Sequence, residues 1–109
     1  MSIKDERVES LLVHLAADFI AREAGRETLI TPTRAELGTD HKSATIYISV
    51  FPDAQGPHAL EFLTRNVDEF RAHMKKEARF SFLPRVHFVL DKGEQNRQHL
   101  DEISRDLPH

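Results

Sequence analysis

The sequence contains no cysteine among its 109 residues. This absence excludes disulfide bonds, thiol catalysis and metal sites built from thiolates. The chain also lacks any apolar run close to the roughly 20 residues that a membrane-spanning helix needs. Its first ten residues are charged and contain no apolar signal core. We therefore expect a cytoplasmic protein with no membrane partner.

Sequence motifs for catalysis and cofactor binding are missing as well. The four glycines are scattered, and they form neither a dinucleotide-binding nor a P-loop pattern. There is no G-x-S-x-G elbow for a nucleophilic serine. None of the seven histidines belongs to an H-x-x-x-H pair, so a zinc site is not expected. The sequence thus predicts a protein that is not an enzyme and needs no cofactor or metal.

The composition is that of one folded domain. Hydrophobic residues make up 39% of the chain and charged residues 30%. Acidic residues outnumber basic ones, 18 to 15, for a net charge of −3. This balance argues against a coat that covers nucleic acid by charge alone. It leaves room for a local, shaped RNA site.

Hydrophobic periodicity predicts an N-terminal helix over residues 5–24. Ser2 and Asp5 resemble a capping box at its start, and Gly25 offers a left-handed C-terminal stop. One continuous apolar stripe follows spacings of three and four residues: Val8, Leu11, Leu12, Leu15, Ala16, Phe19 and Ile20.

Two strands are expected next, over residues 28–37 and 43–51. Pro32 cannot donate a ladder hydrogen bond, which places the first strand at a sheet edge. The second strand alternates strictly, with Ala44, Ile46, Ile48 and Val50 on one face. The polar turn at 38–42 makes the pair an antiparallel hairpin.

A second helix is predicted from about residue 57 to 73, with a third strand over 85–90. The apolar pattern weakens at 75–78, where we expect a kink or a further short turn. A right-handed crossover would place the third strand parallel to the second. We predict an α+β domain over residues 1–91, with a three-stranded mixed sheet and helices on one face. Residues 92–109 are predicted to be a polar tail or a short helix.

The stretch from residue 71 to 85 carries an unusual local charge. It holds five basic residues against one acid, Glu77, inside an acidic protein. Such a cluster marks a candidate phosphate-binding face. The alternative is a solvated helix face. The candidate RNA-binding residues are Arg71, Lys75, Lys76, Arg79 and Arg85.

Two aromatic residues, Phe80 and Phe82, lie within this basic stretch. In an RNA site they could stack on unpaired bases. Aromatic residues beside a strand in a small domain are more often part of the core, and we expect that for both. Tyr47 lies on the outward face of the second strand and is more open to contact.

Several motifs resemble those of the ribosome-binding factor A family, from Arg7 to about Leu100. In the best segment, LGTDHKSATIYISV at residues 37–50, four residues fall where the family has its S-P-D…A-x-V-Y-V-S pattern: Asp40, Ala44, Tyr47 and Ser49. Thr39 replaces the proline of that pattern. Further matches are Thr31 and Thr33 for T-V-T, Phe70–Arg71 in a helix, and Pro84, Phe88 and Asp91 for P-x-L-x-F-x-x-D.

This resemblance implies a single KH-like domain of the second type, in the order helix–strand–strand–helix–kink–helix–strand. It also implies a ribosome assembly factor that binds the free small (30S) subunit and its 16S rRNA during late maturation and rRNA processing, with a link to cold adaptation. We expect a monomer. A protein-interaction module on a KH-like scaffold, without RNA binding, is the alternative function.

Overall fold

The computed structural model describes residues 3–25, 28–80 and 82–93. These residues form an α+β fold in the predicted order, with two consecutive helices between the second and third strands. Ser2, and nearly all of the segment 92–109, lie outside the described residues. The elements are α1 (Ile3–Glu23), β1 (Leu29–Leu37), β2 (Ser43–Phe51), α2 (Gly56–Arg65), α3 (Val67–Glu77) and β3 (Arg85–Leu90), with a 3₁₀ turn at Asp53–Gln55.

The sheet has the order β1-β2-β3, with β2 at the centre. β1 is antiparallel to β2, and β3 is parallel to β2, which confirms the predicted mixed sheet. The register between β1 and β2 shifts at a bulge between Pro32 and Arg34. Proline has no backbone N–H to donate, so this irregularity is tolerated on an edge strand.

The core lies between one face of the sheet and the helices. The four alternating residues predicted for β2 are all buried, as are Leu12 and Phe19 of α1. Phe70 of α3 is fully buried, and its ring centroid lies 5.4 Å from that of Phe19 and 5.5 Å from that of Phe88. The opposite face of the sheet carries no described helix, as the sequence predicted.

The kink between the second and third helices is at Asn66, so its predicted position at 75–78 is wrong. Asn66 leaves helical geometry at φ −104° and ψ 17°. Its side-chain Nδ2 donates to the carbonyl oxygen of Phe62 at 2.8 Å, and its backbone N–H also bonds to that turn. An asparagine amide that competes for backbone carbonyls interrupts a helix in this way. α3 then continues without a break to Glu77.

The predicted left-handed C-terminal stop of α1 at Gly25 is wrong. Gly25 does not adopt a left-handed conformation, because no described glycine has a positive φ.

Thr33 and Asp91, two of the family-like motif residues, contact each other: the Thr33 hydroxyl donates to an Asp91 carboxylate oxygen at 2.6 Å. This bond joins the bulge in β1 to the end of β3, so both residues contribute to the fold.

Candidate nucleic-acid interface

Three of the five predicted cations lie at the end of α3 and just beyond it. Lys75 and Lys76 occupy its last turn and are exposed, in a position where the helix dipole favours positive charge. Arg79 is also exposed, but α3 ends at Glu77 and Ala78 is extended. Arg79 therefore does not continue the helical face that carries Arg71 and Lys75.

Arg71 faces the protein rather than open solvent. Its Nε donates to the carbonyl oxygen of Pro84 at 3.1 Å, and its Nη2 donates to that of Leu83 at 3.3 Å. These carbonyls belong to the described residues that lead into β3, 78–80 and 82–84, which we call the β3 entry segment. Arg71 thus fixes this segment to α3.

Arg85 is exposed at the start of β3, on the outward face of the sheet. Its backbone N–H donates to the carbonyl oxygen of Lys42 at 2.9 Å. Because β2 and β3 are parallel and in register, their first residues lie side by side at the same end of the strands. Lys42 is exposed there too. Sequence analysis missed Lys42, although its position one residue before β2 would have placed it beside Arg85.

The two aromatic residues of the β3 entry segment have different environments. Phe80 is half-buried, whereas Phe82 is 57% exposed, so the prediction that both face the core is wrong for Phe82. Pro84 is the fully buried side chain of this segment. An exposed phenylalanine therefore lies between Arg79 and Arg85.

A groove borders this exposed aromatic residue. It has a volume of about 620 Å³ and lies between α1, the β1–β2 turn and the β3 entry segment. Its lining is largely apolar, and its polar lining residues are Lys4, Asp5, His41 and Arg79. Arg79 and Phe82 thus belong both to the basic stretch and to a concave surface.

The open face of the sheet is different in character. The guanidinium of Arg34 lies 3.8 Å from the centre of the Tyr47 ring, and Arg34 also forms an ion pair with Glu36. Tyr47 is therefore covered by a paired arginine. The same sheet bears three exposed apolar side chains: Leu29 at 65%, Phe51 at 50% and Val89 at 40%.

Within residues 3–25, 28–80 and 82–93, no cluster of three or more histidine and acidic side chains could hold a metal ion. No helix of those segments is long and apolar enough to cross a membrane.

Comparisons with known proteins agree with this architecture. The family model described as "Ribosome-binding factor A" matches residues 4–104. A curated protein of that name from Zymomonas mobilis is 23% identical over 113 residues, covering 99% of this chain and 79% of its own length.

Two solved structures share the fold. The crystal structure of ribosome-binding factor A from Thermus thermophilus is 24% identical, with a TM-score of 0.71, and covers 81% of this chain and 97% of its own. A Thermus thermophilus homology model, fitted into a cryo-electron microscopy map of a complex between 30S and ribosome-binding factor A, gives a TM-score of 0.69 at 24% identity, with 81% and 96% covered. With a family match across most of its length and the fold of these structures, the chain belongs to the ribosome-binding factor A family.

Proposed function

We propose that this protein is an assembly factor that binds the free 30S subunit and its 16S rRNA during late maturation and rRNA processing. It acts in the cytoplasm as a monomer and catalyses no reaction itself. The observation that carries the proposal is the family match over residues 4–104, supported by a relative that has been fitted into a 30S complex.

The distribution of charge supports an rRNA contact near the end of α3. Lys75, Lys76 and Arg79 are exposed, and among the described residues none of them belongs to an ion pair. Ammonium and guanidinium groups that are not held in ion pairs are available to phosphates. Arg85 and Lys42 extend the positive charge to the end of the sheet where β2 and β3 begin. Arg71 supports this surface by holding the β3 entry segment.

Binding to purified 30S subunits tests this function. We expect the full chain to co-sediment with free 30S subunits at low salt, and the double variant K75E/K76E to bind at least tenfold more weakly, because two phosphate contacts become repulsive. The matched control is R65E/K92E. It makes the same change in net charge at two exposed cations outside the predicted set.

The control also matches the local effect on a helix, since Arg65 lies in the last turn of α2 as Lys75 and Lys76 do in α3. If the wild-type chain does not bind 30S subunits at low salt, the proposed function is wrong. If the two double variants weaken 30S binding equally, Lys75 and Lys76 are not part of the interface.

The exposed apolar residues of the open sheet face favour one second candidate, a protein-interaction module. Leu29 and Phe51 are cross-strand partners and together form an apolar surface. Such exposed surface is often a site of protein contact. This candidate predicts that 30S binding, if present, persists after the rRNA-facing cations are reversed and is lost in the double variant L29S/F51S.

A further inference from the structure

We propose that the groove between α1 and the β3 entry segment is a pocket for an unpaired RNA base, which stacks on Phe82. This proposal rests on the proposed function, because it adds a base-binding site to the rRNA surface. The groove is lined by residues of α1, by Leu37 and His41, and by Arg79, Phe80 and Phe82 of the β3 entry segment.

The shape and lining of the groove suit a flat, partly apolar ligand. Its volume of about 620 Å³ falls within the range of small-molecule sites. Val8 and Leu11 of α1 form one wall, and Phe80 and Phe82 belong to the other. Every base has an apolar face that can stack on an aromatic ring, so this contact does not require a particular sequence.

Phe82 is presented from a segment that is fixed at several points. Arg71 binds the carbonyls of Leu83 and Pro84, and the Arg85 N–H binds the carbonyl of Lys42. The backbone that follows Phe82 is therefore anchored beside the groove before any ligand arrives. An anchored backbone reduces the conformational entropy that is lost on binding, which favours recognition.

The charges at the rim fit a phosphate backbone. Lys4 and Arg79 line the groove, and the Asp5 carboxylate lies 3.0 Å from Nε2 of His41, so this acid already has a partner. Arg79 also connects the groove with Lys75 and Lys76 on α3. A strand of RNA could therefore place its phosphates on these cations and one base against Phe82.

An apolar segment of a partner protein is the competing occupant. It would use the apolar walls, but it would gain nothing from the cations that surround them. The combination of an exposed aromatic ring, apolar walls and a positive rim, continuous with the proposed rRNA surface, favours RNA.

Variants of Phe82 test the pocket in the full-length protein with purified 30S subunits. We expect F82A to raise the Kd for 30S about tenfold or more, as loss of one stacked base does, whereas F82W retains near wild-type affinity. The control is V89A, which truncates an exposed apolar side chain of β3 that lies outside the groove and outside the Leu29–Phe51 pair. Thermal unfolding of each variant confirms that it is folded.

Ultraviolet cross-linking of the 30S complex identifies the occupant directly. Cross-links from the β3 entry segment to rRNA are expected, and a cross-link to a ribosomal protein instead would overturn the base pocket. Wild-type affinity in F82A, or equal losses in F82A and V89A, would overturn it as well. In each of these cases a loss of binding in K75E/K76E would leave the proposed function intact, while failure of the wild-type chain to bind 30S would refute both.

Discussion

The guanidinium of Arg71 faces backbone carbonyls, and this contact determines its role. Charge alone grouped Arg71 with the proposed rRNA-binding residues, because a sequence does not show which carbonyls a turning segment presents. Bonds to Leu83 and Pro84 make it a support for the β3 entry segment. Its positive charge can still attract phosphate, but its donors are partly engaged.

Replacement of Arg71 by methionine should therefore destabilise the fold. The substitution keeps the apolar stem and removes the charged donors, at an expected cost of about 1–2 kcal/mol in the free energy of unfolding. R65M is the control, since Arg65 is exposed, and its change should stay within about 0.5 kcal/mol. Urea denaturation measures both. If the two variants are equally stable, Arg71 does not hold the segment.

His73 is another residue whose environment could not be read from the sequence. It is buried, and its Nδ1 lies 2.6 Å from Nη2 of Arg22. Arginine can only donate, so Nδ1 accepts and Nε2 carries the proton. Among the described residues Nε2 has no hydrogen-bond partner. No motif assigned this histidine a role, and its contact with Arg22 could not be predicted because 51 residues separate the two in the chain.

At the scale of elements, the strands were easier to predict than the break between helices. The alternation in β2 fixes which face is buried, and the turn at 38–42 fixes the hairpin. The helix pattern of Leu63, Val67 and Phe70 runs through Asn66 without interruption, so hydrophobic spacing could not locate the kink. The signal was the asparagine itself, whose amide competes for the backbone.

Removal of that amide should weaken the junction between α2 and α3. We expect N66A to lower the free energy of unfolding by about 0.5–1.5 kcal/mol through loss of the Nδ2 bond to Phe62. Buried Leu63 and Phe70 on either side should preserve the kink. The control is T64A, at an exposed position of α2. It should leave the free energy of unfolding unchanged or raise it slightly, because alanine is the better helix former. A stabilised N66A protein would show that the side-chain bond is unimportant.

At the scale of the whole molecule, net charge and local charge point in opposite directions. The chain carries −3 overall, yet exposed cations collect around the end of α3 and the β3 entry segment. At physiological ionic strength the screening length is about 8 Å, so distant acids act weakly on a ligand at this surface. The sequence located most of these cations. The groove could not be predicted, because it depends on how α1 packs against the β3 entry segment.

The salt dependence of 30S binding separates phosphate contacts from base stacking. Each phosphate contact contributes roughly 0.7 to the slope of log K against log salt for single-stranded nucleic acid. We therefore expect K75A/K76A to reduce the magnitude of the slope by about 1.4 if both lysines contact phosphates. F82A should lower affinity at every salt concentration while leaving the slope unchanged, because stacking releases no counterions. The control R65A/K92A loses the same charge, and it should change neither the affinity for 30S nor the slope. A reduced slope in F82A would mean that Phe82 positions the cations instead of binding a base.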